Sequence, residues 1–407
     1  MHSIASGVSV IGRVPGSESR AAEASGSGGG MVARPRIDVG MTVNAKPPLA
    51  LVERDVAAAQ EQDLDAVMVW DHLQDFYPSA LWDHGFGLYA DEHASPHTWF
   101  DYQTLLGYVA ARAGGLRLGV GVTESFRRHP IVIAQAAATL AHLSHRPPIL
   151  GIGAGERENT DPYGLPFDQP VGRLEEAVQI IRTAFTSQGP FDFHGRHYQL
   201  DGAVLDLLPP PGRTPEIWIA AHGPRMLRLT GRYGNGWYPF AIGSPEDYAA
   251  RLGVIRAAAS DAGRDPETIT PSWTCLTVIG RTEAEARAML DTNPVRFWGL
   301  LFSADIWRLF GAQHPFGQQF RGYLDILPEQ CRDREALDAA IAAVPQGLIE
   351  LAIWGTPPQI VEKLRAFGEA GLRHVVPWVP SALVSPDAAD YTRRALGEIS
   401  LALRNGG

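Results

Sequence analysis

The amino-acid sequence predicts a (β/α)8 barrel, the TIM barrel fold, from the pattern of its apolar residues. From Ile37 onward, eight short apolar runs alternate with amphipathic stretches, and each run is continuously apolar rather than alternating with polar residues. Continuous apolar strands separated by helices are typical of a parallel sheet that is covered on both faces. An open doubly wound sheet is the alternative. It is disfavoured because the first unit has no G-x-G-x-x-G followed by an acidic residue.

The predicted strands and helices follow one another along a chain of 407 residues. The strands are expected at 37–43, 66–70, 117–122, 148–154, 216–221, 236–240, 272–280 and 374–379. Helical patterns lie between them, as in residues 131–143 and 172–185. A small hairpin is predicted at 191–200, with His194 and Gly195 at its turn.

Two connections between predicted strands are too long for ordinary βα loops. Residues 73–98 follow the second strand, and residues 291–347 lie between the seventh and eighth strands. Both insertions are rich in aromatic residues, which argues against disorder. These residues are Phe76, Tyr77, Trp82, Phe86, Tyr89, Phe297, Trp298, Trp307 and Phe310. We expect them to line an apolar substrate site or to form a homodimer interface, since apolar patches mark ligands and partners alike.

The chain divides into two parts. Residues 1–36 are rich in glycine, serine and alanine and show no periodicity, which predicts a disordered N-terminal tail. Residues 37–407 are expected to form the barrel domain.

The composition limits the partners that this chain can have. Acidic residues outnumber basic ones by 45 to 35, which argues against nucleic acid or an anionic membrane surface. No run approaches the roughly 18 apolar residues of a membrane span, so we expect no integral membrane association. Cys275 and Cys331 are the only cysteines, and they offer neither a disulfide framework nor a zinc site. We therefore expect a reduced cytoplasmic setting. The aromatic insertions favour a small-molecule or lipid substrate.

In a (β/α)8 barrel the active site forms at the carboxyl ends of the strands, so the residues there are the candidates. They are Asp71 and His72 after the second strand, Thr123 after the third, Gly153, Gly155, Glu156 and Asn159 around the end of the fourth, and Ala221, His222, Gly223, Pro224 and Arg225 at and after the end of the fifth. We expect these residues to converge in space. No cluster with metal-ligand spacing is visible in the sequence, and no metal site is predicted.

His72 is the main candidate for acid–base chemistry, because the ordinary pKa of histidine, about 6.5, lies near neutrality. Asp71 is expected to orient its ring. The Asp71–His72 pair alone favours a catalytic role and a structural role for His72 about equally. In the structural role, the histidine only closes the end of the strand. Glu156 is the second candidate, against the alternative of a carboxylate that is merely stabilised by a helix dipole. That alternative is stronger for Glu158, which lies further from the strand.

Residues 222–225 have the features of an anion site. Gly223 permits close approach to the backbone, and Pro224 suits the first position of a helix. The free N–H groups of a helix N-terminus bind anions, and Arg225 adds positive charge. An ordinary capped βα loop is the alternative.

Five stretches together resemble one family. They are VWDHL (69–73), FRRHPIVIAQAAATL (126–140), LGIGAGERENTDPYG (150–164), IWIAAHGPRMLRLTGRYGNGW (217–237) and GTPPQIVEKLRAFGEAGLRHVV (355–376). The sequence resembles the luciferase-like flavin and deazaflavin superfamily from about residue 37 onward. Within it, the variants GIGAGERE, AAHGPRMLR and SDAGRDP most resemble the mycobacterial phthiodiolone ketoreductases, which reduce a ketone on a long-chain lipid with coenzyme F420.

The resemblance implies a role for most of the candidate residues. Gly153 and Gly155 would let the backbone approach the cofactor, while Glu156 and Asn159 would face its deazaflavin. The backbone of residues 221–224 would hold its phosphate, with Arg225 beside it.

The resemblance also implies a non-prolyl cis peptide bond at Gly121–Val122, next to Thr123, that bulges against the ring. A related sugar-phosphate dehydrogenase has a tryptophan at the position of Phe76 and a glycine at that of His222. It also uses lysines to bind the sugar phosphate, whereas this chain has only Lys46 and Lys363. These departures disfavour a sugar phosphate and favour an apolar substrate.

Three classes of function follow from the resemblance. The first is an F420-dependent ketoreductase that transfers hydride from the reduced deazaflavin to a ketone on a lipid-like substrate, with His72 or Glu156 as proton donor. The second is an F420-dependent alcohol dehydrogenase or an FMN-dependent monooxygenase on the same fold. The third is a deazaflavin-binding protein without catalytic activity.

Overall fold

A computed structural model of the chain describes residues 34–405. The strands in this range are β1 Asp38–Val39, β2 Met41–Thr42, β3 Ala66–Val69, β4 Arg117–Thr123, β5 Ile149–Ile152, β6 Phe191–His194, β7 Gln199–Ala203, β8 Glu216–Ile219, β9 Gly236–Trp237, β10 Thr270–Ile279, β11 Ile353–Gly355 and β12 His374–Trp378. The helices are α1 Leu49–Glu61, α2 Leu88–Glu92, α3 Tyr102–Ala110, α4 Pro130–Leu143, α5 Pro170–Ala184, α6 Pro224–Tyr233, α7 Pro245–Asp261, α8 Glu283–Leu290, α9 Asn293–Arg296, α10 Ala304–Leu309, α11 Arg334–Ala342, α12 Gln346–Ile349, α13 Pro357–Glu369 and α14 Pro386–Arg404.

The strands form a parallel barrel, in the pairing order β1, β12, β10, β9, β8, β5, β4, β3, β2. β1 pairs with β12 and β2 pairs with β3, so the first stretch of the chain joins the two sides of the sheet. Gly40 lies between β1 and β2, and its N–H donates to the carbonyl of Val375 across 2.8 Å. The predicted TIM barrel is confirmed, and every predicted strand overlaps an observed one.

Apolar residues fill both sides of the sheet. All four residues of β3 and all four of β5 are buried, as their continuous apolar runs predicted. The barrel interior is occupied by a small cluster from facing strands. Its buried members are Ala66, Met68, Ile149, Trp218, Tyr238 and Val376. The predicted helices at 131–143 and 172–185 are found as α4 and α5.

The two long aromatic segments build a second hydrophobic core beside the barrel. Tyr77 links them, since its hydroxyl donates to the carbonyl of Pro294 and accepts from Nε1 of Trp298, both across 2.7 Å. Most of the aromatic side chains singled out in the sequence are therefore buried within this chain. One strand here was not predicted: the three-residue β11, which extends the sheet by pairing with β10.

The predicted hairpin at 191–200 is present, but its turn differs from the prediction. His194 pairs with Gln199, so four residues, 195–198, make the turn instead of His194 and Gly195. The longer turn is stabilised by Glu176, whose carboxylate accepts three successive backbone N–H groups of residues 196–198.

Most of the predicted N-terminal tail lies outside the described residues, so its disorder and the domain boundary at residue 36 stay predictions. Among the described residues, no helix is both long enough and apolar enough to cross a membrane.

Candidate active site

A cavity of about 1400 Å³ opens at the carboxyl ends of the barrel strands. Its lining brings together most of the residues that the sequence predicted for the site. These are Asp71, His72, Gly121, Val122, Thr123, Gly153, Gly155, Glu156, Asn159, His222, Gly223 and Arg225. Ala221 and Pro224 are not part of the lining: Ala221 is buried, with its carbonyl accepting from Nε1 of Trp237, and Pro224 has no N–H to offer.

The side chain of Asn159 organises the loops that follow β3 and β5. Its oxygen accepts the backbone N–H groups of Leu73 and Gln74 across 2.6 and 3.3 Å, which fixes which end of the amide is the nitrogen. That nitrogen donates to Nδ1 of His72 across 2.9 Å and to Oε1 of Glu158 across 2.8 Å. Asn159 was predicted to face the deazaflavin. In the structure, both ends of its amide form hydrogen bonds with protein groups instead.

These bonds determine the form of the neutral His72 ring. An amide nitrogen can only donate, so Nδ1 of His72 must accept and carries no hydrogen. The hydrogen of the neutral ring is therefore on Nε2. His72 lines the cavity, and its side chain is 12% exposed. The arrangement suits donation of a hydrogen bond from Nε2 to a ligand.

Two carboxylates lie beside His72. The Oε2 atom of Glu156 is 3.9 Å from Nδ1 of His72, and this side chain is 30% exposed towards the cavity. The Oε1 atom of Glu158 is 3.7 Å from the same Nδ1, and this side chain is fully buried. Burial, and next the negative charge of Glu156, raise the pKa of Glu158 well above its ordinary value.

Asp71 does not orient His72 as the sequence suggested. Its buried carboxylate accepts a hydrogen bond from the hydroxyl of Thr123 across 2.6 Å. It also forms ion pairs with the guanidinium groups of Arg127 and Arg128, each across 2.9 Å. The two arginines follow β4 and draw the carboxylate away from the ring. Asp71 and Thr123 thus fix the ends of β3 and β4.

The Gly121–Val122 peptide bond is cis, as the resemblance implied. The wall beside it leaves little room for larger side chains. A Cβ on Gly121 would lie 3.0 Å from the hydroxyl of Tyr238, and one on Gly153 would lie 3.2 Å from Cγ2 of Val122. Gly155 has a different reason to be glycine, because its φ of +86° is in the left-handed region.

The far end of the cavity is formed by the start of α6. Gly223 precedes its first residue, and a Cβ added there would meet no atom within 4 Å, so the backbone is open at this point. Arg225 is exposed and forms an ion pair with Glu175 across 3.0 Å. Burial, and next the charge of Arg251, lower the pKa of His222 to about 4, so its ring is neutral at pH 7.

The profile of the luciferase-like monooxygenase family matches residues 29–374. The chain belongs to this family. It is 39% identical over 344 residues to the phthiodiolone/phenolphthiodiolone dimycocerosates ketoreductase of Mycobacterium tuberculosis (strain ATCC 25618 / H37Rv), covering 84% of this chain and 90% of that relative. It is 34% identical over 232 residues to the F420-dependent hydroxymycolic acid dehydrogenase of the same strain, covering 54% of this chain and 58% of that protein.

Solved structures show the same fold for this luciferase-like protein. An F420-dependent secondary alcohol dehydrogenase in complex with an F420–acetone adduct has a TM-score of 0.70 at 19% identity, covering 91% of this chain and 99% of that chain. The oxygenating constituent of 3,6-diketocamphane monooxygenase from Pseudomonas putida, in complex with FMN, has a TM-score of 0.60 at 16% identity, covering 91% and 98%.

An aromatic wall closes one side of the cavity in this luciferase-like barrel. It consists of Trp70, Phe76, Phe240, Trp298 and Trp378. Trp298 lies at its centre, with ring centroids 3.8 Å from Trp378 and 6.4 Å from Trp70. Sequence reasoning noted Phe76 and Trp298 but missed the others. Their positions could have revealed two of them, because Trp70 and Trp378 lie at or near the carboxyl ends of predicted strands, where the active site of a barrel forms.

Proposed function

We propose that this protein is a coenzyme F420-dependent oxidoreductase, a ketoreductase that acts on a ketone carried by an apolar, lipid-like substrate. The identity of 39% across 84% of the chain to a protein named as a ketoreductase carries the proposal. The relative named as an F420-dependent dehydrogenase supports the choice of cofactor. The structural neighbours bear on the fold alone, because their identities are below 25%.

The residues of the cavity fit a deazaflavin nucleotide. A flat ring needs a narrow wall at the strand ends, and Gly121 and Gly153 line the cavity there with Tyr238 and Val122 packed against them. A phosphate needs an open backbone at a helix N-terminus, which Gly223 provides at the start of α6. When bound, the reduced deazaflavin would supply a hydride to the carbonyl carbon of the substrate.

The protein would then orient the carbonyl and handle the proton. In the neutral ring of His72, Nε2 carries the hydrogen, so it is placed to donate a hydrogen bond to the carbonyl oxygen and to stabilise the negative charge that develops there. The side chain of Glu156 lies in the same part of the cavity, and its carboxyl group, when protonated, is the alternative proton donor.

The aromatic wall and the positions of the two lysines support an apolar substrate. The aromatic wall offers an apolar surface next to His72, with Phe76 5.5 Å from its ring. Neither of the two lysines lines the cavity: Lys46 is buried in an ion pair with Asp75, and Lys363 donates to the carbonyl of Trp354. The lysines that would bind a sugar phosphate are therefore not available here.

Cofactor titration tests the proposal. Three tryptophans of the wall, Trp70, Trp298 and Trp378, should report binding through quenching of intrinsic fluorescence. F420 is expected to bind in the micromolar range or tighter, about −8 kcal/mol, and FMN much more weakly. With reduced F420, the protein should reduce a long-chain methoxy-ketone. Tighter binding of FMN, or yellow flavin that co-purifies with the protein, would favour the monooxygenase alternative instead.

A further inference from the structure

Glu158 is a buried acid that the proposed reaction, as described so far, does not use. Its side chain is fully buried, and Oε1 accepts from the amide nitrogen of Asn159 across 2.8 Å. Oε2 is buried and has no hydrogen-bond partner among residues 34–405. Oε1 is 3.7 Å from Nδ1 of His72. Burying an ionised carboxylate without a counter-charge is costly, so this position favours the neutral form of the carboxyl group.

The surroundings of Glu158 disfavour its ionised form. Glu156 contributes negative charge from the same loop. Tyr323, in the insertion after β10, is near enough for the charges of both carboxyl groups to help raise its pKa, after burial. Arg127 is the cation that acts in the opposite direction, and its guanidinium is already bound to Asp71 and Glu124. His72 is held as an acceptor at Nδ1, so it offers no hydrogen to Glu158 in this arrangement.

A bridging cation would be another way to neutralise this group. The donor atoms of His72, Glu156 and Glu158 lie within 4.8 Å of one another, a spacing that a metal ion could share. However, the amide nitrogen of Asn159 directs one hydrogen to Nδ1 of His72 and the other to Oε1 of Glu158. The first of these hydrogens occupies the one lone pair of Nδ1, and Nε2 carries the hydrogen of the neutral ring, so His72 has no atom free to ligate a cation in this arrangement. A proton on Glu158 is compatible with them, because Oε2 is free to carry it.

We propose that Glu158 is a neutral carboxylic acid that supplies a proton to the reaction through His72. This inference rests on the proposed function. As hydride adds to the carbonyl carbon and the C=O π bond breaks, the oxygen takes the proton from Nε2 of His72. Nδ1 takes the proton of the Glu158 carboxyl group, so the ring stays neutral and exchanges one tautomer for the other. The product is an alcohol, and Glu158 is left as a carboxylate until solvent restores its proton.

The transfer requires a rotation of the Glu158 carboxyl group, because the oxygen now facing Nδ1 of His72 is Oε1, at 3.7 Å. The rotation brings the protonated Oε2 to the Nδ1 side, where it donates the proton at hydrogen-bond distance. Asn159 releases Nδ1 in this step and keeps its bond to Glu158, which is the stronger acceptor once it is a carboxylate. Because Glu158 acts through His72, it is a positioning and proton-supplying residue rather than one that touches the substrate.

Glu158→Gln tests the proposal, since glutamine keeps an acceptor for Asn159 but has no acidic proton. We expect kcat to fall about 10²-fold with KM unchanged, and the alkaline limb of the kcat profile that reports loss of the Glu158 proton to disappear. Glu158→Asp should recover part of the activity. Glu362→Gln, the same change at an exposed position of α13, is the matched control and should behave as the wild type.

Infrared spectroscopy supplies a readout that needs neither cofactor nor substrate. The wild-type minus Glu158→Gln difference spectrum at pH 7.5 should contain the C=O stretch of a protonated carboxyl group. If the variant fails to fold, the wild-type band and its pH titration still decide the protonation state. An active enzyme without this band, or a variant with kcat within about twofold of the wild type, overturns the inference. Stoichiometric binding of Zn²⁺ or Mn²⁺ that the variant loses, together with metal-dependent activity, overturns it as well.

The two proposals fail in different ways. A wild-type protein that shows the band but reduces no ketone with reduced F420 overturns the proposed function, and the delivery step with it. A wild-type protein that reduces a ketone but lacks the band overturns the role of Glu158 alone.

Discussion

Asn159 donates a hydrogen bond to Nδ1 of His72 across 2.9 Å, and the direction of this bond is fixed by the rest of the amide. The oxygen of Asn159 holds the N–H of Leu73, the residue that follows His72. One side chain from the loop after β5 therefore sets both the position and the tautomer of a ring that follows β3. Loop contacts of this kind preorganise a donor before any ligand arrives.

Asn159→Asp should reverse the tautomer of His72. Aspartate keeps the acceptor for Leu73 and Gln74 but has no hydrogen to donate, so Nδ1 would donate to it and Nε2 would lose its hydrogen. We expect kcat to fall about 10²-fold or more. Nitrogen NMR of the ring should show the change of tautomer. Asn235→Asp is the matched control, because Asn235 also accepts a backbone N–H, that of Ile217, but lies outside the cavity. An unchanged kcat in Asn159→Asp would mean that His72 is not the donor.

His72→Asn separates a catalytic role from a structural one. Asparagine is smaller and polar, so we expect the fold and F420 binding to be kept. The activity should show kcat and kcat/KM falling together by about 10²–10⁴-fold, because the lost interaction exists mainly in the transition state. Glu156→Gln is the comparison. A larger loss there, with His72→Asn nearly normal, would assign the donor role to Glu156, and a failure of His72→Asn to fold would leave His72 a structural residue.

Asp71→Asn should act on stability rather than on the chemistry. The carboxylate of Asp71 is buried between Arg127 and Arg128, and its removal leaves these cations with one counter-charge fewer. Breaking a buried ion pair from one side costs about 3–5 kcal/mol of unfolding free energy. Asp101→Asn removes the other, exposed partner of Arg128 and should cost about 1 kcal/mol or less. Denaturant melts measure both, and a loss of kcat without loss of stability in Asp71→Asn would support its predicted role in orienting His72.

The barrel could be predicted from the sequence because its strands are buried on both faces. Runs such as those of β3 and β5 carry this signal without knowledge of their neighbours. Features set by distant side chains could not be read in this way. The hairpin turn depends on Glu176, which lies about 20 residues earlier on α5, and β11 has only three residues.

The candidate site was predictable by position but not by pairing. The sequence places His72 and Glu156 at strand ends, and the barrel brings those ends together. It does not show that Asp71 turns towards two arginines from the next loop. Nor does it show that Glu158 is buried, because a short 3-10 turn has no periodicity from which burial could be read.

His222 should make the stability of the protein depend on pH. Burial lowers the pKa of His222 to about 4, whereas an unfolded histidine titrates near about 6.5. The unfolded state therefore binds the proton more tightly, so the stability contributed by neutral His222 is complete above about pH 6.5 and is lost as the pH falls towards about 4. His222 lines the cavity and its surface is only partly buried, so solvent reduces this contribution, and the loss between pH 7 and pH 5 stays below about 2 kcal/mol.

The variant His222→Gln should therefore show a smaller fall in unfolding free energy between pH 7 and pH 5 than the wild type. The pKa of His93 is also lowered to about 4, chiefly by burial, so His93 makes the unfolding free energy depend on pH in both proteins. His145→Gln changes an exposed histidine and should leave the slope unchanged. Equal slopes for His222→Gln and the wild type would show that His222 is hydrated in the folded protein.

Gly223→Val tests the anion site at the start of α6. The backbone of Gly223 is extended, with φ −79° and ψ 159°, and a Cβ there meets no atom within 4 Å, so valine fits without a clash and projects into open space. We expect F420 affinity to fall at least tenfold, about 1.4 kcal/mol, because the side chain blocks approach of the phosphate to the helix N-terminus. Without cofactor, the unfolding free energy should fall by no more than the poorer helix cap explains, about 1 kcal/mol.

Gly231→Ala on the same helix is the opposite case and serves as the control. A Cβ there would lie 2.3 Å from the carbonyl oxygen of Ile255, so α6 would be pushed away from α7. This variant should lose about 1–3 kcal/mol of unfolding free energy, because added atoms strain a well-packed contact. Fluorescence titration and thermal melts of both variants give the comparison. If Gly223→Val loses stability to the same extent as Gly231→Ala and keeps its F420 affinity, Gly223 is a turn glycine and the phosphate binds elsewhere.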